Sequence, residues 1–169
     1  LRASVRSLPQ AANLDSLRGI EGDAAKVYFS AMNGIVRRDA RSTFTMDART
    51  RRPPRDRINA LLSFLYSMLM NDCRSALEAV GLDPQLGFLH AVRPGRAALA
   101  LDLMEEFRAI MADRLVLTLI NRGQIGASDF VEREGGAVLL ERDARRAVVV
   151  AYQERKQEEI THPLLEIKM

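Results

Sequence analysis

Cysteine occurs once in this 169-residue chain, tryptophan not at all, and aromatic residues make up only 5%. The single Cys73 excludes an internal disulfide and fits a reducing cytoplasm. There is no glycine-rich phosphate loop, no CxxC pair and no GxSxG elbow. Signatures of P-loop nucleotide binding, zinc ribbons and serine hydrolases are thereby missing. Long apolar runs are missing as well. The longest, Ala60 to Met70, is interrupted by Ser63, Tyr66 and Ser67, whereas a membrane span needs about 20 mainly apolar residues. It reads as a buried core helix. No secretory signal and no internal repeat appear. The chain opens on leucine, so we expect a piece of a longer protein.

Lysine is also scarce: three lysines stand beside twenty-two arginines, for a net charge of only +3. The planar guanidinium suits phosphate, although a GC-rich genome gives the same bias. Hydrophobic residues reach 47%, enough for one domain that buries roughly 70% of its unfolded surface. Helical periodicity dominates. After an opening interrupted by Pro9, a helix is predicted from about Ile20 to Val36, with Glu21, Ala24, Ala25 and Tyr28 on one face. The alanines would let a neighbouring helix approach and leave Glu21 in a recess. Equally, Glu21 could be a first-turn glutamate favoured by the helix dipole.

Residues 37–57 lack periodicity and hold eight arginines (37, 38, 41, 49, 51, 52, 55 and 57) against three aspartates. Pro53 and Pro54 stop any helix there. An irregular stretch this long is functional or disordered, and its positive charge would hold a nucleic-acid backbone. We expect a basic, flexible loop. Asp56 should cap a central helix from Arg57 to Val80 that ends at Gly81. On it, Asn59, Ser63 and Tyr66 form a polar stripe that must meet a polar partner, either a core network or a functional site.

Gly87-Phe88-Leu89-His90 and the basic bend Arg93-Pro94-Gly95-Arg96 precede a helix predicted over Ala97 to Asn121. Its apolar stripe runs through Leu103, Met104, Phe107, Ile110, Met111 and Leu115; Asp102, Glu105, Glu106 and Asp113 occupy the other side. Asp102 and Glu105 are one turn apart. A histidine aimed at that pair makes a cradle for Mn2+ or Zn2+, or for Mg2+ with water and phosphate oxygens; a solvated acidic face is the alternative. Phe130 to Glu134 and Ala137 to Leu140, split by Gly135-Gly136, read as a β-hairpin. A charged helix from Arg142 to Ile160 comes next, with His162 at its end. The fold class is therefore mainly α: a helical bundle with a small hairpin near the C-terminal end.

Three blocks carry a resemblance. They are Leu17 to Ala25 (LRGIEGDAA), Arg51 to Tyr66 (RRPPRDRINALLSFLY), and Gly81 through Phe88-Leu89-His90 to Arg108. Their order and spacing resemble the C-terminal helical domain of the CRISPR-associated integrase, which inserts new spacers into a CRISPR array. The resemblance implies one helical catalytic domain over residues 1–169, without the family's N-terminal β-rich dimerisation domain. The family also continues for a few turns past this C-terminus. It implies a metal-dependent DNA endonuclease and integrase using Mg2+ or Mn2+, which joins the 3′-hydroxyl of incoming DNA to a repeat-strand phosphodiester by transesterification. The implied metal ligands are Glu21, His90 and Asp102, with Glu105 as an additional acidic position. Ala109 stands where relatives often have proline, which should only extend the helix. Implied partners are double-stranded and branched DNA, a second copy in the full-length protein and a small CRISPR adaptation protein, in the prokaryotic cytoplasm, with no membrane.

DNA contacts are expected from Arg51, Arg52, Arg55, Arg93 and Arg96, with Asn59 and Tyr66 as DNA contacts or supports behind the ligands. A non-catalytic DNA-binding or scaffold fragment is the second reading. A hydrolase of small phosphate esters is the third, and eight arginines exceed what one phosphate requires.

Overall fold

The computed structural model describes residues 1–161 and 166–168; the expected helix-end residue His162 lies outside them. The chain begins with a short helix, α1 (Arg2–Ser7), and a 3₁₀ turn at Leu8–Gln10. Asn13 then starts α2 (Leu14–Ser30) by accepting the Ser16 amide at 2.9 Å. That cap moves the helix start well upstream of Ile20. Glu21 therefore sits beyond the first turn, and the helix-dipole reading of it falls. A single turn, α3 (Met32–Ile35), continues from α2.

The central helix is α4 (Arg57–Ala79), capped by Asp56 through the Asn59 amide at 2.8 Å. Ile58, Leu61, Leu62 and Leu65 are all fully buried, each stabilising the fold by about 1.5–3 kcal/mol. The helix stops where Gly81 takes a left-handed φ of +80°. There the Leu82 amide reaches the Leu77 carbonyl at 2.9 Å and the Gly81 amide that of Glu78 at 3.1 Å, a Schellman ending.

The predicted helix over 97–121 is one rod in three parts. These are α5 (Ala98–Arg108), a π-helical turn at Ala109–Asp113, and α6 (Arg114–Asn121). Ala109 thus opens a wider turn rather than simply extending an α-helix. The hairpin forms as expected, β1 (Phe130–Arg133) against β2 (Ala137–Leu140), antiparallel with Phe130 opposite Leu140. Gly135 and Gly136 both turn through positive φ. The last helix, α7 (Arg142–Lys156), packs on the rod and on α4; its Tyr152 hydroxyl donates to Asp72 at 2.9 Å.

Residues 37–56 carry no helix or strand, in line with their sequence, yet they are tied down. Phe44 and Met46 are 3% and 2% exposed, within the core. Asn33 bonds both backbone groups of Met46, and the Val138 amide of β2 donates to the Pro54 carbonyl at 2.9 Å. Among the described residues, no helix is long and apolar enough to cross a membrane.

Candidate metal and DNA site

Where α2, α4 and α5 meet, a cleft of about 290 Å3 opens. Glu21, His90 and Glu105 line it, with Arg49, Arg51, Arg52, Arg96, Arg108 and Tyr66 around them. A larger cleft, about 850 Å3, lies against the rod; among the described residues Asp113 is its only carboxylate and no histidine lines it. The chemistry therefore gathers in the smaller one.

His90 is held by a loop that is locked from several directions. Gly87 presses on the start of α5, where an added Cβ would stand 2.7 Å from the Ala98 backbone. The Pro84 carbonyl accepts the Leu99 amide at 2.8 Å, one of the first-turn amides of α5 that have no partner within the helix. Arg18 of α2 donates to the Leu89 carbonyl at 2.6 Å. The strongest tether is Asp102. Its Oδ2 accepts the amides of Phe88 (2.6 Å) and Leu89 (3.1 Å); its Oδ1 accepts the His90 amide (2.9 Å) and bonds the His90 ring Nδ1 at 2.6 Å.

Burial works against ionisation of Asp102, but the bonds from His90, Phe88 and Leu89 outweigh it and hold the carboxyl below its usual value. An ionised Asp102 is an acceptor only, so the shared proton belongs on Nδ1. That tautomer leaves the Nε2 lone pair of His90 for the cleft.

The structure brings three of the four expected ligands to one opening. Asp102 does not line the cleft, and both its oxygens already serve the histidine loop. Its position one turn before Glu105 puts it under the loop rather than in the opening. Glu105, the additional position in the sequence reading, lies in the cleft beside Glu21 and His90. Desolvation raises its pKa, Arg108 lowers it and Glu21 raises it again. Arg108 grips Glu105 at 2.6–2.7 Å. Among the described residues, no three His, Cys, Asp or Glu side chains stand close enough together to hold an ion. The donor set nonetheless suits a hard divalent cation: two carboxylates and an imidazole with a fixed tautomer.

The arginines divide. Arg51, Arg52 and Arg96 line the cleft. Arg93 is exposed but outside it. Arg55 is also outside, its guanidinium bonded to the Gly135 carbonyl at the hairpin turn. Asn59 cannot reach DNA, because it is fully buried. Its Oδ1 accepts from Arg49 (2.7 Å) and the Thr50 amide (3.0 Å), while its Nδ2 donates to the Ala48 carbonyl (2.8 Å) and to Asp56. The polar stripe on α4 is thus partly a clamp on residues 48–50. Ser63 completes it by accepting from Arg49 at 3.2 Å.

Tyr66 does face the cleft, with Arg49 5.2 Å and Arg108 5.7 Å from its ring centre. Its hydroxyl donates to Asp113 at 2.5 Å. Burial, then Asp113, pushes the Tyr66 pKa far above its normal value, so the phenol stays neutral and is no nucleophile. Sequence reasoning missed Arg108, whose i, i+3 spacing from Glu105 was the available signal. It also misplaced Asp113, set on the side of the helix opposite the core-facing stripe but only 1% exposed.

Residues 1–154 match the family model for CRISPR associated protein Cas1. The CRISPR-associated endonuclease Cas1 1 of Moorella thermoacetica is 58% identical over 163 residues, covering 96% of this chain and 47% of that protein. A casposase bound to integration product superimposes with a TM-score of 0.85 at 26% identity, over 98% of this chain and 48% of that one. A chain of a partial Cas6-RT-Cas1–Cas2 complex gives 0.81 at 32% identity, over 92% of this chain and 47% of that one. The chain spans about half the length of these relatives. On the extent of the family match and this identity, the chain belongs to the CRISPR-associated Cas1 family.

Proposed function

We propose that this chain carries the catalytic cleft of a divalent-metal-dependent DNA integrase and endonuclease of CRISPR adaptation. One observation supports it above the rest: Asp102 commits four hydrogen bonds to the His90 loop, and His90 lines a cleft that also holds Glu21 and Glu105. Glu21, His90 and Glu105 would hold Mg2+ or Mn2+, with Asp102 fixing the histidine. Bound there, the cation would polarise a phosphodiester and neutralise charge in transesterification. Arg51, Arg52 and Arg96 bind and orient the DNA backbone at the rim. Arg108 restrains Glu105, and neutral Tyr66 walls the cleft. With the 3′-hydroxyl of incoming DNA as nucleophile the outcome is integration; with water it is cleavage. The Cas6-RT-Cas1–Cas2 complex of its structural relative supports a Cas2-type partner protein for the intact chain; the family resemblance adds a second copy of the protein and double-stranded or branched DNA.

The arginines around the cleft also suit a second reading, a DNA-binding scaffold. His90→Ala in the intact protein decides between them. Strand transfer of a 3′-hydroxyl duplex into a repeat-bearing plasmid should fall to background in Mn2+ and Mg2+, with DNA affinity within about twofold of wild type, since phosphate contacts are untouched. Full activity in that variant establishes the scaffold.

A further inference from the structure

Beneath the cleft lies a carboxylate that none of the steps above uses. Asp113 accepts the Tyr28 hydroxyl of α2 at 2.7 Å and the Tyr66 hydroxyl of α4 at 2.5 Å. Three separate segments thus meet on one buried acid. Burial raises its pKa, while the two phenols and then Arg108 and Arg49 pull it down.

Asp113 reaches that position only because the rod is wound irregularly. Asp113 stands seven residues beyond Glu106, so an ideal α-helix would set the two within about 20° of each other around the axis. Glu106 is exposed. The π turn inserts in effect one residue, which rotates the downstream part of the rod by about 100° and carries Asp113 under Glu105 and into the bundle. The turn is braced from outside: Nε and one terminal nitrogen of Arg155 in α7 donate to the Ile110 carbonyl at 3.4 and 3.3 Å. Burying a carboxylate is costly unless several partners compensate. Apolar residues there would fill the same space without that cost.

The placement of its partners gives the arrangement a use. Tyr28 lies seven residues along α2 from Glu21, on the same helix face. Tyr66 lines the cleft, and Arg108, which holds Glu105, stands over its ring. We propose that Asp113 is a positioning residue: by taking both phenols it locks α2 and α4 onto the α5–α6 rod and sets the spacing of Glu21 from His90 and Glu105. This rests on the reading of the cleft as a cation site. Glu21 comes from α2 and Glu105 from α5, so the spacing of these helices decides how far apart the donors stand.

The test is Mn2+ binding to the intact protein by electron paramagnetic resonance, beside thermal unfolding and strand-transfer kinetics. Asp113→Leu should raise the Mn2+ dissociation constant about 10–100-fold, the loss typical of residues behind metal ligands. It should lower kcat and leave KM for DNA unchanged. Asp113→Asn, which keeps an acceptor for one phenol, should fall between. Should Asp113→Leu fail to fold, the double variant Tyr28→Phe with Tyr66→Phe removes both bonds, keeps both rings, and should shift Mn2+ binding likewise. A lower melting temperature with wild-type Mn2+ affinity overturns the proposal and leaves Asp113 a purely structural acid. If the wild type itself binds no Mn2+, the cation reading fails first and takes this inference with it; the two failures are thus distinguishable.

Discussion

Asp102→Asn isolates the link between loop geometry and ion binding. The carboxylate makes four contacts, two on each oxygen. An amide of the same shape keeps one acceptor and turns two donors toward groups that are donors themselves. Either orientation loses two charge-assisted bonds, each worth about 1.5–3 kcal/mol. The loop is partly exposed, so water recovers some of that, leaving a net cost of roughly 2–4 kcal/mol. If the new amide faces the ring, His90 can accept from it only by moving its proton to Nε2. That removes the lone pair the cleft needs.

Mn2+ affinity should therefore drop at least about tenfold, the equivalent of 1.4 kcal/mol. Amide exchange at Phe88, Leu89 and His90 should speed up. The pH dependence gives an independent sign. The Asp102 pKa is depressed by folding, so its stabilisation is present above its unfolded pKa of about 3.9 and is lost as pH falls through the lower folded value. In acid unfolding, wild type and Asp102→Asn should differ at neutral pH and converge only once the pH has fallen through the depressed folded value of Asp102. Wild-type Mn2+ affinity together with unchanged protection at 88–90 would refute the reasoning.

The arginine rim predicts a separate behaviour. Arg51→Ala with Arg52→Ala should weaken DNA binding and shallow its salt slope by about 1.8, roughly 0.9 for each lost phosphate contact, with activity recovered at high DNA concentration; an unchanged slope, from titrations at several salt concentrations, rules the pair out as phosphate contacts. The basic stretch should be mobile only in part. Hydrogen exchange should show the Met46 and Thr50 amides, bonded to Asn33 and Asn59, protected in the free protein, while Arg51 and Arg52 gain protection only with branched DNA. Strong protection at 51 and 52 without DNA would count against a DNA-ordered loop.

The elements legible in the sequence were those set by local chemistry. Asp56 capped α4, Gly81 ended it, and Gly135-Gly136 turned the hairpin, because each depends on a few neighbouring residues. The bulk of the core could be read from apolar spacing on α4. Glu21 and His90 reached one cleft through the family pattern, since nothing local relates residues so far apart in the chain. Asp102 and Glu105 show where pattern ran out. Both are acids one turn apart on one helix, and sequence alone ranks neither. What separates them is the path of the 84–97 loop, which crosses the start of α5 and consumes the first carboxylate with its amides.

Asp113 was misplaced for a different physical reason. Periodicity assumes one rotation per residue along the whole helix, so a single wide turn breaks the assignment of every residue after it. Nothing in Ala109-Ile110-Met111-Ala112 marks that turn locally; these are ordinary helix residues. The wider winding is stable because distant groups complete it: Arg155 on the Ile110 carbonyl, and Tyr28 and Tyr66 on Asp113. Two of these partners lie on helices that precede the rod in the chain and one on the helix after it. The irregularity is thus a tertiary decision, and it places a buried acid under the cleft at a position that helical periodicity sets opposite the core-facing stripe.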